Sequence, residues 1–196
     1  MNMPASTSQP RYYNTPIINQ HTTWPQFGWR YCTVGTLYMF LYSSQTQHYR
    51  TSNPSTSDLT GVYEDNGYGS GTTIAQYIRR YTSLRYVDFR GSCSTAQAEG
   101  QLTLGFPVPI GVDHWQGAQY HVLGSNAGQG TGRAAPVVGQ AHARGSGDPY
   151  PAGHWGLVIG YDASYFYIND PDSGTNIRWA KSSFASHNPY HVHVSG

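Results

Sequence analysis

Apolar side chains along this chain change their rhythm at about residue 105, from a helical to a strand period. After Cys32, residues Val34, Leu37, Tyr38 and Leu41 fall at i, i+3, i+4 and i+7, one face of an α-helix that begins at the cysteine. A second helix is expected from Thr72 or Thr73, where Thr73-Ile-Ala-Gln76 has capping-box spacing, with Ile74, Tyr77, Ile78 and Tyr81 as its face. A third is expected from Ser94, with Gln97 as its box partner, running to Leu104. Beyond Gly105 the runs Phe106–Val112, Leu157–Tyr161, Tyr165–Asn169, Asn176–Trp179 and Tyr190–Val194 read as strands, and Asp162-Ala163-Ser164 is turn chemistry. Helices first and strands afterwards predict an α+β fold, N-terminal helices packed on a C-terminal antiparallel β-sheet.

Between these elements lie polar stretches. Residues 1–15 read as a flexible N-terminal arm, 16–196 as a single domain, 43–71 as a long loop and 113–153 as a long insertion loop. Composition sharpens this only in places. The hydrophobic fraction is 38%, but 17 Tyr and 5 Trp bring buried area with polar tips. Eleven basic residues face ten acidic ones, and Lys181 is the single lysine. That balance lacks the basic stripe of a nucleic-acid binder, and no apolar run is long enough to span a membrane; neither partner is expected. The N-terminal stretch lacks the charged and apolar regions of a secretory signal. Low charge with abundant Gly, Ser, Thr and Tyr suits a protein working outside a cell or inside a particle. Two cysteines, Cys32 and Cys93, make no disulfide framework.

Cys32 is the residue around which chemistry can be assembled. The start of a helix offers partial positive charge and unpaired N–H groups, which favour a thiolate. A thiolate nucleophile needs a histidine to pair with it and to protonate the leaving group. Folding the hairpin about residues 162–164 returns His154 beside Asp170, within one register step, so imidazole and carboxylate meet at one end of an apolar hairpin. Gln20 and Gln26, both upstream of Cys32, can each donate to the oxyanion of an acyl intermediate. Trp29, Tyr31 and Trp155 are candidate substrate contacts in an aromatic cleft when taken as a group; read one by one, each is first a wall of the core. His191 and His193 lie two apart on a strand, but no third ligand stands at suitable spacing, so no metal and no cofactor is expected. Asp170-Pro-Asp172-Ser-Gly174 has a passing likeness to a calcium loop and lacks its bidentate glutamate. His114 and His121 fall in the long loop, and Cys93 has no supporting residues.

The chain resembles the papain-like cysteine peptidases typified by bacteriocin leader processing and their bacterial and phage relatives. The resemblance is carried by Pro16-Ile-Ile-Asn-Gln20 ahead of Cys32-Thr-Val-Gly-Thr, by Gly105-Phe-Pro-Val-Pro-Ile-Gly-Val112, by the His154-to-Asp162 segment and by Asn169-Asp-Pro through Gly174. Thr33 departs from the small residue usual after the cysteine. The resemblance implies a papain-like fold and acyl transfer to Cys32, with His154 as proton carrier, Asp170 as its orienting partner and Gln20 or Gln26 at the oxyanion. It implies a peptide substrate; a free-standing, low-charge chain further suggests peptidoglycan cross-links and a lysin carried by a phage particle. The alternative is a catalytically retired papain-like domain that serves as a structural or binding component, for example of a virion.

Overall fold

A computed structural model describes residues 11–25, 31–64, 70–112, 120–123, 154–172 and 174–196. In chain order the elements are β1 (Arg11–Tyr12), α1 (Gln20–Thr23), α2 (Cys32–Leu41), α3 (Gly61–Glu64), α4 (Gly71–Tyr81), β2 (Tyr86–Arg90), α5 (Thr95–Thr103), β3 (Val108–Val112), β4 (Tyr120–Leu123), β5 (His154–Tyr161), β6 (Tyr165–Asp170), β7 (Thr175–Ala180), α6 (Lys181–Ser186) and β8 (Tyr190–Ser195).

The helix expected after Cys32 is α2, which starts at the cysteine itself. The third expected helix is α5, whose Ser94 closes a complete capping box with Gln97. The second, α4, starts earlier than the Thr73 spacing suggested. Ser70 caps it, accepting from the Thr73 N–H, because a serine in extended backbone outside the helix can reach N3 while a threonine inside it cannot serve as a cap. Six elements were not expected, the short helices α1, α3 and α6 and three strands. Strand β2 is short and half polar, β4 falls in residues read as a loop, and β1 falls in residues read as a flexible arm. Tyr13 N–H donates to the Ile159 carbonyl at 2.7 Å just past β1, which ties that arm to the sheet.

All strand pairings are antiparallel, and the main sheet runs β2-β8-β3-β5-β6-β7-β4. Strand β5 is central: β3 pairs with residues 154–158 along one edge, and β1 takes over beyond it at Gly160 and Tyr161. Apolar residues on both sides of the sheet are covered. Val34, Leu37, Phe40 and Leu41 of α2 and Ile74 and Ile78 of α4 pack with Trp155, Leu157 and Ile159 of β5 and Val192 and Val194 of β8. Ala98 and Leu102 of α5 and Phe184 of α6 pack with Val108, Ile110, Val158, Ile168 and Trp179 on a second cluster. At roughly 25 cal/mol per Å² of buried apolar area, each fully buried Leu, Ile or Phe in these layers contributes about 1.5–3 kcal/mol. The sheet thus forms the middle of an α+β sandwich, with most of its strands in the C-terminal part, as the pattern predicted, and only β1 and β2 ahead of α5.

Lys181 opens α6 and is held on every side. Its ammonium pairs with Glu99 at 2.6 Å, donates to the Asp162 carbonyl, and lies 4.6 Å from the centre of the Tyr161 ring. Asp162 in turn holds the β5–β6 turn, accepting from the Ser164 and Tyr165 N–H groups at 2.8 Å.

Candidate active site

The site is built where the N-terminal end of α2 meets the open end of the β5–β6 hairpin. Near the turn the two strands pair as Gly160↔Tyr167 and Tyr161↔Phe166. Continued without change, that register would set Asp170 across from Leu157, on the opposite face from His154. A β-bulge between Val158 and Gly160 inserts one extra residue in β5, so the outer pairs become Val158↔Ile168 and Leu157↔Asn169. The shifted register sets Asp170 across from Gly156, diagonal to His154 and on its face. His154 and Asp170 are therefore diagonal neighbours, and not the directly opposed pair that a simple fold-back of the hairpin suggests.

Across that diagonal, His154 Nε2 and Asp170 Oδ1 lie 2.6 Å apart. Both residues are buried, at 5% exposure each. The Cys32 side chain also hydrogen-bonds the ring. Burial alone pushes the His154 imidazolium pKa down. The Asp170 carboxylate, its hydrogen bond, and the hydrogen bond and charge of Cys32 outweigh burial and raise the pKa to about 10. At neutral pH the ring is an imidazolium that meets both the Cys32 sulfur and the Asp170 carboxylate.

Three contacts around one turn lock this end of the structure. Pro171 follows Asp170 directly, and a Cβ placed on Gly35 of α2 would lie 2.6 Å from the Pro171 Cβ, so the glycine lets α2 approach the end of β6. Gln20, first residue of α1, donates its backbone N–H to the Pro171 carbonyl at 2.8 Å. Gly174, at φ +65°, completes the turn, where a side chain would run into Asn19, the N-cap of α1. Gln20 is fully buried and its Nε2 donates to Asp172 Oδ1 at 3.0 Å. Asp172 Oδ1 also meets His21 Nε2 at 2.8 Å, and the Asp172 N–H donates to Asp170 Oδ1 at 3.1 Å. Asp172 and Gly35 were not expected at this site; hydrophobic spacing carries no signal for either, since one acts through a carboxylate and the other through a missing side chain.

Of the expected residues, Cys32, His154 and Asp170 are brought together, and Gln20 is fixed to the turn that follows Asp170. Gln26 and Trp29 lie outside the described residues, as do His114 and most of the 113–153 loop. The other two aromatic candidates, Tyr31 and Trp155, are both buried. Tyr31 is 5% exposed and packs edge-on against Trp24, while Trp155 is 3% exposed and packs against Tyr190. Both pack in the same cluster on the α2 side of the sheet as Cys32, and are about as buried as Cys32 and His154. The two carboxylates of the calcium-like segment are engaged by His154, Gln20 and His21. His191 Nδ1 faces the Ser92 carbonyl at 2.9 Å, and among the described residues no group of three His, Cys, Asp or Glu side chains is placed to hold a metal ion. Cys93 is buried, and burial pushes its thiol up to about 12. No helix among the described residues is long and apolar enough to cross a membrane.

A cysteine at a helix start, a strand-borne histidine and a carboxylate in this order and geometry define the papain-like class of thiol-dependent α+β proteins. The family model described as the Peptidase_C39 like family matches residues 12–191, and the chain belongs to that family of papain-like cysteine peptidases. The match covers all the described elements except the first residue of β1 and the end of β8. No curated protein and no solved structure matches the chain.

Proposed function

We propose that this chain is a cysteine peptidase that cleaves an amide bond by acyl transfer to Cys32. The observation that carries the reading is His154 meeting both the Cys32 thiol and the Asp170 carboxylate. In the first step the Cys32 proton is held on His154 while Sγ bonds to the scissile carbonyl carbon, and the C–N bond breaks as the imidazolium delivers that proton to the departing amine. In the second, His154 takes a proton from water, whose oxygen bonds to the acyl carbon and releases Sγ. Asp170 orients the ring and stabilises its charged form throughout. Gln20 and the Cys32 backbone N–H are the donors we assign to the oxyanion.

Within this reading the substrate class is a peptide, and a peptidoglycan cross-link is the proposed target, on the ground of a low-charge chain that resembles bacterial and phage enzymes. Clearing of purified sacculi by the wild type, abolished by Cys32→Ala, is the expected result; no clearing would overturn the cell-wall assignment without touching the chemistry.

The chemistry is tested by iodoacetamide labelling read by peptide mass spectrometry, with the buried Cys93 as internal control. Cys32 is expected to label much faster than Cys93 at neutral pH and to slow in His154→Ala. Equal, slow labelling of both thiols would overturn the reading and leave a retired fold.

A further inference from the structure

The Asp170–Asp172 turn holds a second carboxylate that the peptidase chemistry leaves without a task. Asp172 sits two residues after the one that orients His154, and its Oδ1 receives the Gln20 amide at 3.0 Å and meets His21 Nε2 at 2.8 Å. The Gln20 side chain is fully buried, and its Oε1 has no hydrogen-bond partner. A primary amide can rotate by half a turn and exchange its oxygen for its nitrogen with almost no change of shape. For an oxyanion donor that rotation is ruinous, because it would aim a carbonyl where an N–H is needed. Against a carboxylate oxygen only the nitrogen end is tolerated, since the flipped amide would set two acceptors face to face.

We infer that Asp172 is a positioning residue that fixes the Gln20 amide in the donor orientation. This rests on the assignment of Gln20 to the oxyanion. One Nε2 hydrogen is spent on Asp172, and the other stays free for the oxyanion. The backbone hydrogen bond from Gln20 to Pro171 fixes the Cα end of the same side chain. His21 keeps a donor on the other side of Oδ1 and so holds the carboxylate in place. One short turn thereby sets both polar partners of the reaction: Asp170 aims the imidazole, and Asp172 aims the amide.

The test separates the thiol from the oxyanion. Iodoacetamide alkylation forms a C–S bond with no tetrahedral oxyanion. Acylation by p-nitrophenyl acetate passes through one as Sγ bonds to the carbonyl carbon and p-nitrophenolate leaves. Gln20→Ala is expected to slow acylation about 100-fold, in the range found for loss of an oxyanion donor, and Asp172→Ala about tenfold or more. Asp172→Asn, which keeps an acceptor oxygen, should fall between Asp172→Ala and the wild type. In the double variant Asp172→Ala should add nothing to Gln20→Ala. Thermal midpoints measured alongside separate these losses from unfolding, which would slow acylation equally in all backgrounds. Additive losses in the double variant, or Gln20→Ala acylated as fast as the wild type, would overturn the assignment of Asp172. A wild-type Cys32 that alkylates no faster than Cys93 would instead overturn the peptidase reading beneath it.

Discussion

Replacing Gly35 by alanine puts the geometry of the site to its most direct test. In a helix interior Gly→Ala ordinarily stabilises by about 1 kcal/mol, because alanine loses less backbone entropy on folding. At Gly35 the new Cβ would stand 2.6 Å from the Pro171 Cβ and 3.3 Å from Ile18 Cγ2. Carbon atoms pack at about 3.5–4.0 Å, so α2 and the Pro171 turn must separate by about 1 Å. Overpacking of that kind costs about 1–3 kcal/mol, and net of the helix gain the fold should lose about 0–2 kcal/mol. The chemical cost is larger. The displaced helix carries Cys32 and the displaced turn is anchored at Asp170, and a misplacement of about 1 Å costs on the order of 100-fold in rate. Gly35→Ala should therefore be a folded protein, with a melting midpoint within a few degrees of the wild type. Its peptide hydrolysis and p-nitrophenyl acetate acylation should be depressed about 100-fold. An alanine variant that is both more stable and fully active would refute the claim that this contact sets the distance between thiol and imidazole.

Three other outcomes follow from the same structure. Asp170→Asn removes the charge that holds His154 at about 10, so the alkaline loss of hydrolysis, set by deprotonation of the imidazolium, should move to lower pH; an unmoved limb in a rate–pH profile would separate Asp170 from the ring. His191 is fully buried, and burial first, then His193 and Arg90, lower its pKa to about 4 against the opposing Ser92 carbonyl and Asp88. Because the folded value lies below the unfolded ~6.5, folding opposes proton uptake. Stability should fall as pH drops from about 6.5 to about 4, by about 3 kcal/mol at 1.36 kcal/mol per unit. The acid limb of a denaturation series should flatten in His191→Gln. Ser94→Ala removes the capping box of α5 and should cost about 1 kcal/mol in urea unfolding, with Cys32 labelling unchanged since α5 packs away from the thiol.

Much of this arrangement was legible in the residue pattern because it depends on period. The helix at Cys32 shows as a 3.6-residue stripe, and the β5–β6 hairpin as two apolar runs around Asp162-Ala-Ser164. His154 and Asp170 follow from those two elements, since each is the polar end of an apolar strand. What period does not carry is an insertion of one residue. The bulge at Val158–Gly160 lies inside an unbroken apolar run, where alternation is hidden because both faces are buried, yet it decides which face Asp170 takes. Strand β2 escaped for a related reason: as an edge strand, its exposed residues obey no strict alternation. Asp172 and Gly35 act through contacts between residues distant in sequence, Asp172 with Gln20 and Gly35 with Pro171.

Lys181 carries a consequence of another kind. Its side chain is 14% exposed, its ammonium is engaged by Glu99, the Asp162 carbonyl and the Tyr161 ring, and the chain has no other lysine. While the fold is closed, those contacts hold back an amine-directed reagent such as a succinimidyl ester at this one lysine. Acylation of Lys181 then becomes a clock for the opening of the Asp162 turn, measured at one atom without any engineered label, and local opening free energies of this kind range from near zero to the global value. The sequence has thus left a built-in reporter at the base of the hairpin whose far end bears His154 and Asp170.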